Sequence, residues 1–391
     1  MPRCGIRNNG STCFINATLQ CLAASPFIRN FISNYETEDI KLVAVITKFN
    51  LGKLNDADDI KAMCLQILKT STNTLVESET AILKHIAVHS KDIYTYIVIK
   101  QIIKSLNENI PKIINIAASL SIIKDLSVGS GLEHLFNGEQ NDPHEFMLFI
   151  LEKLHNAKKT TVSITIPANL DIFDKYHKLY LTHFKTTYQN NYSYFVKNLY
   201  FYILTCIECD KCKMQTESVC PNQDICVSIP DNILNPNSIN IYDCLNEMFK
   251  VEAIDYKCEN VACKNTISNK WEKKIISTPK TLIIKIKRYY NSRVNNHLSK
   301  NNTMIQYPKI LDIKKYLCSE SNSMYELYAI INHTGSLDSG HYYSYVKTIN
   351  HETSQFTSEW VGCNDTNVQN ITEEYAMSSQ NAYILFYNLI Q

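Results

Sequence analysis

Three residue types that together can run thiol chemistry stand in turn-flanked positions of this chain: Cys13, His341 and Asn364. A thiol becomes a strong nucleophile when a base takes its proton, and that base needs an acceptor to fix its tautomer. Cys-His-Asn is one recurring solution. Cys13 lies in Gly5-Ile6-Arg7-Asn8-Asn9-Gly10-Ser11-Thr12-Cys13-Phe14-Ile15-Asn16. The residues before it suit a turn and an N-cap, and Ile15, Leu19 and Leu22 recur at helical spacing, so a helix is predicted to start at the thiol. There the helix dipole and the unpaired N–H groups lower a thiol's pKa. A buried structural cysteine on an amphipathic helix explains this one segment equally well. His341 follows His333-Thr334-Gly335-Ser336-Leu337-Asp338-Ser339-Gly340, a turn joining two β-like runs. Asn364, with Asp365 beside it, closes Trp360-Val361-Gly362-Cys363. Spacing alone does not bring the three together.

Other cysteines suggest different chemistry. Cys209-x2-Cys212 and Cys258-x4-Cys263 are two close pairs about 45 residues apart, and two chelating pairs make the four-thiolate tetrahedron that structural Zn²⁺ prefers. Cys206 leaves the register of the first pair open, and unliganded core cysteines are the alternative. A nucleic-acid-binding zinc ribbon would need a basic excess that this stretch lacks.

The elements that must position these groups divide in character. Residues 36–130 read as largely helical, with Ile60, Met63, Cys64, Ile67 and Leu68 on one face; Ile97-Val98-Ile99 and Ile102-Ile103 fit helix or strand. Gln140-Asn141-Asp142-Pro143-His144-Glu145-Phe146 opens a helix: Asp142 is the N-cap, Pro143 takes the first position, and Glu145 is placed to reach back as a capping box does. Residues 158–200 are polar and tyrosine-rich, a variable connection or helical insert. From about residue 200 short β-like runs take over, including Thr281 to Lys287, Tyr325 to Ile331 and Ala382 to Tyr387. A helical first part followed by a sheet-rich second part is an α+β arrangement.

Composition narrows the class. The chain has 391 residues, 45% hydrophobic and 20% charged, with a formal net charge of +1. It can bury a large core, and it gives no reason to expect nucleic acid or an anionic membrane as partner. The apolar stretch Ile113 to Ile123 is too short to span a bilayer. The chain opens on a polar loop rather than a secretory leader, so its fourteen cysteines are expected to serve metal and catalytic roles in a reducing compartment. The expected setting is soluble and intracellular, in cytoplasm, nucleus or both.

Taken in order, these segments resemble the ubiquitin-specific proteases, papain-like cysteine deubiquitinases. The cysteine box matches at Gly5, Asn8, Gly10, Thr12 and Cys13, and the glutamine box at Gln140, Asp142, Glu145 and Phe146. Leu282 to Tyr289 looks like the family's palm strand. The histidine box matches at Tyr325, Leu327, His333, Gly335, Gly340, His341 and Tyr342; Trp360 to Asp365 and Tyr383 to Tyr387 complete the set. The resemblance implies one catalytic domain over residues 1–391, shaped as a hand. A helical thumb would cover about 1–195 and a β palm about 196–391, with zinc-stapled fingers at about 200–275 and catalysis at the thumb–palm cleft. It implies Cys13 as nucleophile, His341 as general base, and Asn364 as orienter with Asp365 as the alternative. Asn8 and the Cys13 N–H would be oxyanion donors. Gln140, Asp142, His333 and Tyr342 would line the channel for ubiquitin's tail, and Cys209, Cys212, Cys258 and Cys263 would hold zinc. No cofactor for catalysis is implied.

Two departures stand in the cysteine box, where Asn9 and Ser11 replace the usual leucine and asparagine. Asn9 is expected to remove a packing residue beside the oxyanion donor. The implied function is hydrolysis of the (iso)peptide bond after ubiquitin's terminal glycine, with ubiquitin and ubiquitinated proteins as partners. A protease for a ubiquitin-like modifier and a catalytically weak ubiquitin-binding scaffold are the alternatives. Target, linkage preference and oligomeric state are not legible in the sequence.

Overall fold

The computed structural model describes the whole chain except residues 1–3, 54–56, 72–73, 109, 167–174, 231–238, 264–268, 292–297, 320, 337–338, 351–352, 354 and 391. Leu337 and Asp338 of the histidine turn and part of the 158–200 insert therefore lie outside the described residues. The fold is mixed α+β. The chain forms two compact units: Met1–Lys159 with His341–Asn370, and Thr160–Gly340 with Ile371–Gln391.

The first unit opens on β1 (Gly5–Ile6) and α1 (Cys13–Ala24). Every residue of α1 is buried, so it is a core helix rather than an amphipathic one. Helices α2 (Pro26–Asn34), α3 (Glu36–Lys48), α4 (Ala57–Thr70) and α5 (Glu77–Leu106) follow. The ambiguous isoleucine runs at 97–103 are thus helical. The next elements are β2 (Ile113–Ile114), α6 (Ala117–Ser127) and α7 (Pro143–Ala157). Helix α1 packs on α2, α5 and α7, with Phe14 and Phe146 edge to face at 5.9 Å. Losing an aromatic ring from such a core costs about 3–5 kcal/mol. Asp39 is buried on α3, where Tyr96, Lys100 and Lys158 all donate to its carboxylate.

Asp142 caps α7 as expected, accepting from the His144 N–H at 2.9 Å. The capping box does not form: the Glu145 carboxylate lies 3.1 Å from His134 Nε2 instead. A nearby imidazole takes the side chain that local sequence assigns to the cap.

The second unit holds α8 (Lys175–Tyr188) and α9 (Tyr194–Asn198), then β3 (Phe201–Glu208), β4 (Gln215–Asn222), β5 (Ile225–Ser228), α10 (Ile241–Met248), β6 (Glu252–Ile254) and β7 (Asn269–Ser277). An antiparallel sheet runs β4-β3-β7-β6, and tyrosines of α8 pack on it: Tyr180 meets Tyr202 at 4.9 Å. Further strands are β8 (Thr281–Lys287), β9 (Tyr289–Asn291), β10 (Leu298–Lys300), β11 (Ile310–Asp312) and β12 (Met324–Gly335). Strand β8 pairs with β5 in parallel and, antiparallel, with the last strand (Ala382–Leu389), which also pairs with β12.

The first unit is completed by β13 (Gly340–Ile349), β14 (Phe356–Asn364) and β15 (Asn367–Ile371). Among the described residues no helix is long and apolar enough to cross a membrane.

Candidate active site

Strand register explains how His341 reaches its orienter. β13 and β14 are antiparallel, with Ser344 opposite Cys363 and Tyr345 opposite Gly362. The start of β13 and the end of β14 therefore lie together, and His341 Nε2 sits 2.6 Å from Asn364 Oδ1. An amide oxygen can only accept, so Nε2 carries the proton and the neutral ring keeps its lone pair on Nδ1. Asp365 is farther away, at 3.9 Å from Nε2. Of the two candidate orienters, Asn364 makes the hydrogen bond.

Asp365 has a different set of partners. It occupies the tight turn between β14 and β15 with φ 50°, a left-handed conformation that aspartate tolerates better than most residues. Its Oδ2 accepts from Asn8 Nδ2 at 2.9 Å and its Oδ1 from Asn16 Nδ2 at 2.7 Å. Its backbone carbonyl accepts from the Ile6 N–H at 2.9 Å. Gly5 permits this approach, because a Cβ there would stand 2.7 Å from the Thr366 carbonyl oxygen. The strand ahead of the cysteine and the turn after the asparagine are thus locked together.

Asn8 is fixed from both ends. Its Oδ1 accepts from the Gly10 N–H, the Thr12 N–H and the Thr12 hydroxyl at 3.1–3.2 Å, while its Nδ2 donates to Asp365. That leaves one Nδ2 hydrogen without an acceptor among the described residues. Asn9 is exposed and ties the loop to Asn115 at 3.1 Å, so the expected loss of a packing residue does not arise: this position faces outward.

Cys13 begins α1 as expected, but the expected lowering of its pKa is not the net outcome. Burial pushes its pKa above the ordinary value, since only 1% of the residue is exposed. The Tyr342 N–H pulls the other way, the Asp365 charge adds to the rise, and the N–H groups of Phe14 and Cys13 oppose it. The helix terminus acts in the expected direction and is outweighed by desolvation, which sequence does not display.

The remaining expected residues are placed as follows. Gln140 and Asp142 are half-buried at the start of α7, and Tyr342 is buried on β13. His333 belongs to the second unit and is buried there, its Nδ1 3.0 Å from the Tyr289 hydroxyl. A Cβ at Gly340 would fall 2.1 Å from His333 Nε2, so the ring needs that glycine. Sequence reasoning passed over Asn16. The signal was available: an amide three residues after Cys13, within the helix predicted to start at the thiol.

The four cysteines of the second unit occupy two hairpin turns, Cys209 and Cys212 between β3 and β4, and Cys258 and Cys263 between β6 and β7. Cys209 and Cys263 sulfurs are 3.7 Å apart and those of Cys212 and Cys258 3.5 Å, with all four ligand atoms within 4.8 Å of one another. A Zn–S bond of about 2.3 Å implies tetrahedral S···S edges of about 3.8 Å. The donor set fits a metal ion of that kind. Cys206 sits within β3, opposite Glu217 and Glu272, and is outside the cluster.

A sequence model of the family described as ubiquitin carboxyl-terminal hydrolase matches residues 4–387. The chain belongs to that family. Family members named as its relatives include a probable ubiquitin carboxyl-terminal hydrolase of Acanthamoeba polyphaga mimivirus, 26% identical over 98% of this chain and 89% of its own length. Ubiquitin carboxyl-terminal hydrolase 2 of Gallus gallus is 30% identical over 64% of this chain and 68% of its own. A probable hydrolase of Schizosaccharomyces pombe is 24% identical over 98% of this chain, which spans 64% of that relative. Among solved structures, a SAGA Ubp8/Sgf11/Sus1/Sgf73 DUB module bound to ubiquitin aldehyde has a TM-score of 0.64 at 21% identity, covering 99% of this chain and 70% of that one. This likeness shows a shared fold.

Proposed function

We propose that the protein is a cysteine-type deubiquitinase that hydrolyses the (iso)peptide bond after the terminal glycine of ubiquitin. The observation that carries this is the hydrogen bond from His341 Nε2 to Asn364 Oδ1, which leaves Nδ1 as the base. Membership of the hydrolase family over residues 4–387 supports the substrate class.

In this reading His341 Nδ1 takes the Cys13 proton, and the thiolate attacks the carbonyl carbon of the terminal glycine. The spare Asn8 Nδ2 hydrogen and the Cys13 N–H stabilise the oxyanion, a contribution of about 2.7–4 kcal/mol per donor in well-formed sites. The imidazolium protonates the leaving amine, giving a thioester; the neutral imidazole so formed takes a proton from water, whose attack releases ubiquitin, and returns that proton to the Cys13 thiolate. Because burial holds the thiol protonated, activation falls to His341 rather than to the helix terminus. Gln140, Asp142, His333 and Tyr342 serve the tail channel, where an acidic group pairs with the tail's arginines.

Cys209, Cys212, Cys258 and Cys263 hold a structural Zn²⁺, which staples two hairpin turns and takes no part in the reaction. Ubiquitinated proteins of the cytoplasm or nucleus are the substrates. The test is release of a fluorophore from the carboxyl terminus of ubiquitin, beside the same fluorophore on a panel of ubiquitin-like modifiers. Turnover of the ubiquitin substrate, abolished by Cys13→Ala, is expected. Turnover of another modifier alone would replace ubiquitin as the substrate.

A further inference from the structure

Asn16 is a costly residue for its position. It is 2% exposed near the start of a helix whose twelve residues are all buried, a place where an apolar side chain would normally be more stable. Its Nδ2 donates to Asp365 Oδ1 at 2.7 Å, which fixes the amide's orientation because a carboxylate only accepts. Its Oδ1 is buried and has no hydrogen-bond partner among the described residues. An unpaired buried carbonyl is destabilising. The fold thus keeps an amide that it half-satisfies, and the satisfied half points at one group, Asp365.

That carboxylate is the junction of the site. Asn16 holds one oxygen, so the other is presented to Asn8 Nδ2 at 2.9 Å and to His341 Nε2 at 3.9 Å. Without Asn16 the carboxylate is held through Oδ2 alone, by Asn8, and can turn about its Cβ–Cγ bond, so that both relations loosen together. Asn16 is also one helical turn from Cys13, its N–H bonded to the Thr12 carbonyl at 3.0 Å, and Thr12 is bonded to Asn8. Nucleophile, oxyanion donor and Asp365 are thereby referred to one rigid helix.

We infer that Asn16 is a positioning residue for the hydrolysis: by gripping Asp365 Oδ1 it aligns the Asn8 oxyanion donor and the charge facing His341. This rests on the deubiquitinase reading above. Its signature is a separation of activity from stability. A merely structural amide, once removed, lowers melting temperature and leaves chemistry alone. A positioning amide, once removed, lowers turnover by more than any loss of stability accounts for.

The experiment compares wild type, Asn16→Leu, Asp365→Asn and the double variant on a fluorogenic ubiquitin substrate, with thermal melts of each. The expected result is a kcat at least tenfold lower for Asn16→Leu, with KM within twofold and a change in Tm too small to account for the loss. In the Asp365→Asn background the same substitution should change kcat by less than twofold, because its route is already cut. If leucine is not accommodated, Asn16→Ala removes the amide without adding bulk and is read the same way. An unchanged kcat, an equal loss in both backgrounds, or a loss that follows Tm would overturn the inference. A wild type without turnover would overturn the hydrolase reading itself, and this role with it.

Discussion

Two regions of the molecule use cysteine in opposite ways. In the first unit the buried Cys13 thiol faces the Asp365 carboxylate and backbone N–H groups, that of Tyr342 first among them. In the second unit four thiols converge at hairpin turns, with sulfur–sulfur distances of 3.5 and 3.7 Å. On the proposed reading the sulfur of the first arrangement serves a partner that must come and go. The second has the spacing of a closed ligand set, in which every sulfur is spoken for once a metal binds. Cysteine type and burial alone do not separate them: Cys13, Cys209, Cys258 and Cys263 are all at most 9% exposed. What separates them is the neighbour, a carboxylate and backbone N–H groups in one case and other thiols in the other.

The largest effects should fall in opposite columns. Cys13→Ala is expected to lower turnover by about 10⁴-fold or more while leaving Tm and metal content intact. Cys209→Ser is expected to lose the zinc, about one ion per chain by elemental analysis, and to lower Tm by about 10 °C or more, since structural zinc contributes on the order of 10 kcal/mol to small domains. A Cys209→Ser protein that melts like wild type would make the cluster ornamental and dissolve the contrast.

Smaller, and confined to the first unit, is the choice between neighbouring orienters. Asn364→Ala should lower kcat by about 10²-fold or more, since it removes the only hydrogen bond fixing the Nε2–H tautomer among the described residues. Full activity in that variant would transfer the role to Asp365.

A pH series sharpens the same comparison. Burial raises the Cys13 pKa above its ordinary value, so at pH 7 the thiolate fraction is small and grows as pH rises. Alkylation of Cys13 by iodoacetamide without ubiquitin should be slow at pH 7 and climb about tenfold per unit toward pH 9. A rate already level at pH 7 would mean a resting thiolate.

The smallest effect concerns Ser11, which has φ 48°, next to Gly10 at φ 89°. Asparagine visits this left-handed region more readily than serine, so Ser11→Asn should stabilise the fold by up to about 1 kcal/mol, read as a slightly higher denaturation midpoint. A lower midpoint would show that the serine is held there by contacts rather than tolerated.

Much of this was legible in the sequence because it is local. The helix starting at Cys13, the Asp142 cap and the strand containing Thr281 to Lys287 each follow from turn residues and periodicity in a short window. What was not legible depends on groups far apart in the chain. The thiol's upward shift comes from packing by the whole first unit, the capping glutamate is claimed by His134, and Asn9 turns outward to Asn115. Asn16 looked like an incidental polar residue because its partner, Asp365, lies 349 positions away. Hydrogen bonds of that range define the site, and no window of sequence contains them.

On the proposed reading, Cys13 is the one thiol that attacks the terminal glycine of ubiquitin. The most direct measurement is reaction of the zinc-loaded protein with ubiquitin bearing a carboxyl-terminal electrophile, followed by peptide mapping of the adduct. The account requires one ubiquitin per chain, attached at Cys13 and absent from Cys13→Ala. No adduct with folded, metal-replete protein, or an adduct on any other of the fourteen cysteines, would contradict it.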